Sequence, residues 1–391
     1  MSRNLAVSRG VLREQRIAKV QLLIDAIRGV DIDKVTEILR QDARIINGVG
    51  SEGHTPLVLA IMVGSSIELI NTLINHGANP TLIVGGMIPL VCAIEKGNIE
   101  LINTLIYHGA DPTLVVGSFT PLLYAIEVDS SIELIKTLMD NGAKPNQVVD
   151  IFTPLRCAIG KGSIELITML IDHEANINLV TGSFTPLSYA IEVDSSIELI
   201  KTLMDNGANP NQVVDIFTPL GCAIRKGSIE LIIMLIDHGA NPNLVAGSFT
   251  PLLHAIGVDS CIELITTLLD RGANPNQVVG SFTPLLQVAV GEGDNIELVK
   301  GLLAYDANVF LTISFSLFGL LDPSKPVVKS LLCHASYLQL EAVTALYPAV
   351  LEDLLKSVLL STLPEGASSN DIALIEPPLA GDAGAEEGTD F

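Results

Sequence analysis

The sequence contains no tryptophan, and aromatic residues make up only 4% of its 391 positions. A core built from such a chain must be filled by Leu, Ile, Val and Ala. Basic residues are scarce as well: 22 Lys and Arg stand against 44 Asp and Glu, a formal net charge of −22. Nucleic acids and anionic membranes bind through cationic side chains that displace counterions, so this balance argues against both as partners. Long hydrophobic runs are missing too. The uncharged stretch Ala307–Leu321 is shorter than the roughly 20 residues that span a bilayer, so no membrane insertion is expected. Residues 1–18 hold Arg3, Arg9, Arg13 and Arg16 but no apolar core of the kind a secretion signal needs, and read as a basic leader.

Cysteine is sparse and oddly regular. Cys92, Cys157 and Cys222 recur in the same Cys-Ala-Ile context; Cys261 and Cys333 complete the set. Equivalent sites two stacked units apart, at helix-packing distances of about 8–10 Å per unit, lie far beyond the ~7 Å limit for a disulfide. Reduced, buried thiols in an intracellular compartment are the expectation. Catalytic patterns are absent: the sequence has no HExxH, no G-x-S-x-G, no GxxxxGK[ST] and no CxxC. No catalytic residue, cofactor or metal is expected.

What is there is repetition. Thr120–Asn146 recurs as Thr185–Asn211 with two changes, Leu123 to Ser188 and Lys144 to Asn209. A Pro-Leu pair begins at Pro56, Pro89, Pro121, Pro154, Pro186, Pro219, Pro251 and Pro284, at spacings alternating between 33 and 32 residues. Within one unit, Thr185 can cap a helix that Pro186 begins, with Leu187, Ala190 and Ile191 on one face. A Val-Asp-Ser-Ser turn follows, in which Ser195 and Glu198 have the spacing of a capping box. Ile197, Leu199, Ile200, Leu203 and Met204 give a second helix an apolar stripe. Gly207 ends it, and the segment after it forms a hairpin-like finger. The one-residue alternation falls in the inter-helix turn, so the duplicated block is a pair of repeats, 65 residues long.

A 33-residue unit carrying Thr-Pro-Leu, then Ala, then Gly-Ala-x resembles the ankyrin repeat over most of the chain. The resemblance implies an all-α repeat solenoid of helix-turn-helix units with short hairpin fingers. The expected layout is a degenerate N-terminal capping repeat at 19–50, eight ankyrin repeats at 51–308 and a degenerate C-terminal capping repeat at 309–336. C-terminal helices at 337–363 and an acidic disordered tail at 364–391 follow. Departures from the family pattern are specific. The usual His after Thr-Pro-Leu is replaced by Val58, Val91, Leu123, Arg156, Ser188, Gly221, Leu253 and Leu286. Coupling between repeats should then rest more on apolar packing than on that polar network. Ile88 takes the place of one capping Thr.

Two surfaces are candidates for binding. Phe119, Phe152, Phe184, Phe217, Phe249 and Phe282 each precede the Thr of a unit, where the resemblance implies finger residues near the concave face that touch a partner. They either form an exposed apolar ridge or pack ring on ring and seal finger to finger. Valine pairs such as Val148–Val149 accompany them. Acidic and basic bands also follow one another at the ends of the first helices: Glu127 and Asp129, then Lys161, then Glu192 and Asp194, then Arg225 and Lys226. They are either a charge code for a partner helix or a solvated rim. His76, His108, His173 and His238 precede helix-ending positions, where they favour the helix dipole.

The expected function is a non-enzymatic, monomeric scaffold or adaptor that binds another protein through its concave face and fingers. The alternative is an array that positions a small effector element at 309–363. Nearly identical Asn/Ile-rich repeats with an acidic tail also resemble ankyrin effectors that intracellular bacteria inject into host cells. That resemblance implies a cytoplasmic protein translocated into a host cytosol.

Overall fold

The computed structural model of the chain describes residues 2–280, 282–290, 295–308 and 326. The segments expected to form the C-terminal cap, the terminal helices and the acidic tail, 309–391, lie outside the described residues, Pro326 apart. The chain divides into two units, Met1–Val214 and Asp215–Phe391. Each is built from the same helix pair, repeated.

The logic of a pair is local. Thr185 sits in an extended conformation (ψ 163°) and its hydroxyl accepts from the amide of Ser188, while Pro186 opens the helix Pro186–Glu192. Leu187, Ala190 and Ile191 are buried. Asp194 then turns the chain in the left-handed region (φ 55°), a conformation Asp tolerates better than most residues. The second helix, Ile197–Asp205, is capped by Ser196, whose hydroxyl accepts from the Leu199 amide. This corrects the expectation that Ser195 is the capping residue. The Ser195 amide instead donates to the carbonyl of Ala190 and closes the first helix, which moves the cap one residue on. A reciprocal capping box does exist in this repeat, at Thr185 and Ser188. At the far end Gly207 (φ 90°) and Ala208 donate to Met204 and Leu203, the paired bonds of a Schellman stop.

The 33/32 alternation lies wholly in the first half of a repeat. Caps of the second helices stand at Ser66, Asn98, Ser131, Ser163, Ser196, Ser228 and Cys261. Each is followed 23 residues later by the proline of the next repeat. Longer turns carry a left-handed Gly64 in the first case and a left-handed Asp thereafter (Asp129, Asp194, Asp259), and shorter ones a left-handed Gly (Gly97, Gly162, Gly227). Finger geometry is equally regular: Val116, Val149 and Thr181 each pair with the Phe three residues on in a single antiparallel bridge.

Neighbouring first helices approach one another more closely than neighbouring second helices, so each unit curves with its first helices inside. Ala60, Ala93, Ala125, Ala158 and Ala190 in the first unit, and Ala223 and Ala255 in the second, have no exposed surface at all. So small a side chain leaves room for this approach. Large residues of the second helices, such as Leu69, Ile70 and Leu73, are fully buried and each contributes about 1.5–3 kcal/mol.

A polar ladder runs between repeats, built from residues other than the expected His. Asn178 Nδ2 donates to the Gly207 carbonyl (3.1 Å) while its Oδ1 accepts from the Asn209 amide (2.7 Å). Asn47, Asn146, Asn243 and Asn276 repeat the pattern. Where Thr81 or Thr113 occupies the position, its hydroxyl turns back to Asn79 or Asp111 of its own repeat. Each bond contributes about 0.5–1.5 kcal/mol, so apolar burial dominates the energy and the ladder sets the register.

One basic-to-apolar transition has no boundary in the backbone. A single helix, Ser2–Arg28, carries both residues 2–18 and the start of the first repeat, and packs with Ile32–Gln41. At the C-terminal stop of Ile164–Asp172, Glu174 holds the left-handed position (φ 66°) that the duplicated block gives to Gly239. Replacing Glu174 with Gly should raise stability by about 1 kcal/mol, read as a higher urea midpoint with unchanged slope. Asn178→Thr should lower stability by about 1–2 kcal/mol and strip the Asn209 amide of its protection against hydrogen exchange.

Candidate functional site

The fingers of both units present apolar side chains to solvent. In the first unit Val115, Phe119, Val148, Ile151, Phe152 and Val180 are exposed, and Phe184 is half-buried. In the second, Ile216, Val245, Phe249 and Phe282 are exposed, and Phe217 is half-buried. The bridge that closes each finger explains the pattern. In Val148–Val149, for instance, Val149 pairs with Phe152 and turns inward, leaving Val148 outside.

No two phenylalanines form a ring pair among the described residues. Phe119 instead meets Tyr124 edge-on at 6.1 Å, Phe184 meets Tyr189 at 6.4 Å, and Phe249 meets His254 at 6.3 Å. Each partner lies on the first helix of its own repeat, so these aromatic pairs recur every 65 residues. One repeat before each pair comes the first helix that carries Val91, Arg156 or Gly221, the positions where the family pattern has His. The guanidinium of Arg156 stacks on Tyr189 at 4.0 Å and reaches Phe184 at 5.9 Å. Its Nη1 donates to the Thr181 carbonyl at 3.2 Å. Reading the 65-residue blocks column by column would have brought this row of Tyr124, Tyr189 and His254 to light; reading repeat by repeat hid it.

The charged bands are tied into the stack. Lys161 Nζ donates to the carbonyl of Glu127 (2.8 Å) and pairs with Asp129 (3.2 Å) one repeat earlier. Glu192, Asp194, Arg225 and Lys226 each take part in at least one polar interaction as well. The histidines at helix ends are structural in their geometry: Nδ1 of His76, His173 and His238 each donates to the carbonyl four residues back at 2.8 Å. Asn141 and Asn206 do the same with their side-chain amides.

The described cysteines Cys92, Cys157, Cys222 and Cys261 are free thiols. Burial, with Glu95 nearby for one and Glu127 for the other, pushes Cys92 and Cys157 up to about 11. Tyr124 is pushed up to about 12, chiefly by its hydrogen bond to Glu95 and then by burial. Among the described residues no helix is long and apolar enough to cross a membrane, and no group of His, Cys, Asp or Glu could hold a metal ion.

Stacked helix pairs with apolar fingers and a curved inner face define a repeat scaffold of the protein-binding kind. The family described as "Ankyrin repeats (3 copies)" matches residues 18–116, 122–214 and 194–279, and the chain belongs to the ankyrin-repeat family. Its fold is the all-α repeat solenoid of helix-turn-helix units, and such repeats serve in general as protein–protein interaction scaffolds. Among solved structures, the crystal structure of the human ASB11 ankyrin repeat domain is similar at 26% identity. The match covers 57% of this chain and 100% of that one, with a TM-score of 0.45. No curated protein sequence matches the chain.

Two outcomes follow from the titrating groups. Tyr124 has a folded pKa above its unfolded value of about 10. Its hydrogen bond therefore adds stability below pH 10, and that contribution is lost as pH rises towards 12. In a difference titration against Y124F, ionisation near 12 should fall back towards 10 in Glu95→Gln. At pH 7, a thiol reagent should label exposed Cys261 well before Cys92 and Cys157, which remain protonated and shielded.

Proposed function

We propose that this chain is a non-enzymatic adaptor that holds a partner protein against its inner helices and fingers. The observation that carries the proposal is the exposure of large apolar side chains at the fingers: Phe119, Phe152, Phe249 and Phe282 are each 40–45% exposed. Rings of this size left in water serve association better than folding, and clustered apolar surface of this kind marks interaction sites. The half-buried Phe184 and Phe217 anchor their fingers and contribute to the apolar surface of their own units. The bands Glu127, Asp129, Lys161, Glu192, Asp194, Arg225 and Lys226 form the polar rim, where charge tunes selectivity and association rate more than affinity. The chain works as a cytoplasmic monomer, without cofactor, nucleic acid or membrane insertion. Delivery into a host cell belongs to the same proposal, on the resemblance of its near-identical repeats to bacterial effectors. Residues 364–391 fused to a reporter should then translocate, and a reporter that stays behind removes delivery without touching the adaptor.

The test replaces Phe119, Phe152, Phe249 and Phe282 with Ala in the full chain and compares partner capture by the two proteins. A specific partner should be retained by the parent chain and bound at least tenfold more weakly by the variant. Circular dichroism should be unchanged, because none of the four rings is core. Undiminished binding by a folded variant would remove the fingers from the interface.

A further inference from the structure

The duplicated blocks contain the same niche three times, filled differently each time. In the first, Val91 holds the equivalent position one repeat before the Phe119–Tyr124 pair; in the second, Arg156 lies on Tyr189 and near Phe184. In the third, Gly221 stands where Arg156 does, and the space is empty. A cavity of about 100 Å³ opens there between Phe217, Gly221, Leu244, Ala246, Phe249 and His254, all within the second unit. Its walls are mostly apolar. A dry apolar cavity of about 150 Å³ takes up benzene, so this one has the size of a single branched or aromatic side chain.

The walls also changed in chemistry. Tyr189, a good surface for a cation, is replaced by His254, and Thr181, whose hydroxyl and carbonyl face the guanidinium, by Ala246. Burial and the neighbouring Arg225 both hold His254 below its ordinary pKa, in the neutral form. The rim changed in the same direction. Arg225 replaces Glu95 and Gly160 of the other blocks, and Gly257 replaces Glu127 and Glu192, which leaves Asp259 as the acid of that turn. Arg225 is exposed, with Lys226 next to it. The third niche has lost a cation from its floor and one carboxylate from its rim, and has gained a cation at the rim.

We propose that the niche at Gly221 is a docking pocket for one bulky uncharged side chain, leucine- or phenylalanine-like, carried by an acidic segment of a partner protein whose carboxylates lie beside Arg225. The proposal rests on the adaptor function above and narrows it to one pocket and one kind of segment. Gly221 has ordinary backbone angles, and a Cβ placed on it meets Thr218 Oγ1 at 3.3 Å and His254 Nδ1 at 3.6 Å. Arg156 and Val91 show that the same helix position accepts a side chain. Refilling the niche is therefore a clean perturbation.

The probes are three capped pentapeptides: a phenylalanine between two pairs of glutamates, an alanine between the same glutamates, and a phenylalanine between two pairs of lysines. Binding to the full-length chain is read from the His254 ring resonances. The glutamate–phenylalanine peptide should shift them saturably, and the other two should bind at least tenfold more weakly. Gly221→Arg and Gly221→Val should each weaken that binding at least tenfold while the thermal midpoint holds. Arg225→Gly should erase the preference for glutamate over lysine. The proposal is overturned if no peptide binds, if the lysine peptide binds as well, or if both refilled variants bind like the parent. It is also overturned if the parent sediments as a dimer that Gly221→Arg dissociates, since a second copy is then the occupant. A partner whose affinity the refilled variants leave unchanged sinks the pocket and leaves the adaptor standing, whereas failure of any protein to bind sinks both.

Discussion

Every feature of each unit depends on the apolar contact between one helix pair and the next. A single pair of helices, seven to nine residues each, is too short to hold its own structure in water. It becomes stable because Leu, Ile and Ala rows lock against the neighbouring pair, and the Ala with no exposed surface sets how near the first helices come. That spacing, tighter between first helices than between second ones, gives each unit its inner face. In the repeat that begins at Pro284 the Ala position is held by Val288, still 95% covered, so even there the row remains closed. The Asn ladder adds direction to this attraction. Apolar surfaces can slide, whereas an amide that both donates and accepts across the gap admits one register.

This division of labour explains which residues the duplicated blocks were free to vary. Ser118–Val180 and Ser183–Val245 differ at seven positions, and of the buried apolar residues only Leu123 and Ile177 change. Two of the changes, Arg156 to Gly221 and Gly160 to Arg225, rebuild the niche beside the aromatic pair. Another, Leu123 to Ser188, stays buried because the serine completes a capping box with Thr185. Stacking constrains the core of every copy alike, so copies diverge where the neighbour's side chains stop, and the inner surface becomes a series of related but unequal sites. The 65-residue period belongs to that surface as much as to the turn that first reveals it. From Pro121 to Cys261, long turns close on a left-handed Asp, short turns on a left-handed Gly, and the aromatic pairs belong to the repeats with long turns.

Much of this was legible in the sequence. Proline spacing, the capping Thr, the helix-ending Gly and the apolar stripes are all local signals, and local signals decide where a short helix starts and stops. The family, the helix pairs and the place of the length alternation come from them directly. The one local misreading, Ser195 for Ser196, arose where two serines stand side by side. Only the closure of the preceding helix by the Ser195 amide separates them.

What the tertiary structure decided is what depends on two repeats at once. Nothing local distinguishes the Asn that bridges to the next repeat from the Asn that merely shapes its own turn; the carbonyl it reaches lies about thirty residues away. Phenylalanines in a row allow either an exposed ridge or ring-on-ring stacking, yet Phe119, Phe184 and Phe249 each turn to an aromatic of their own first helix. The charged bands look free in a sequence, but repeat spacing brings Lys161 onto Asp129. And a glycine in a helix says nothing by itself of a cavity. Gly221 opens one because Phe249 and His254 are carried to it by the next repeat. The sequence by itself determined the unit, since a unit is held by short-range bonds; the surface was decided by stacking, since its sites are made between units.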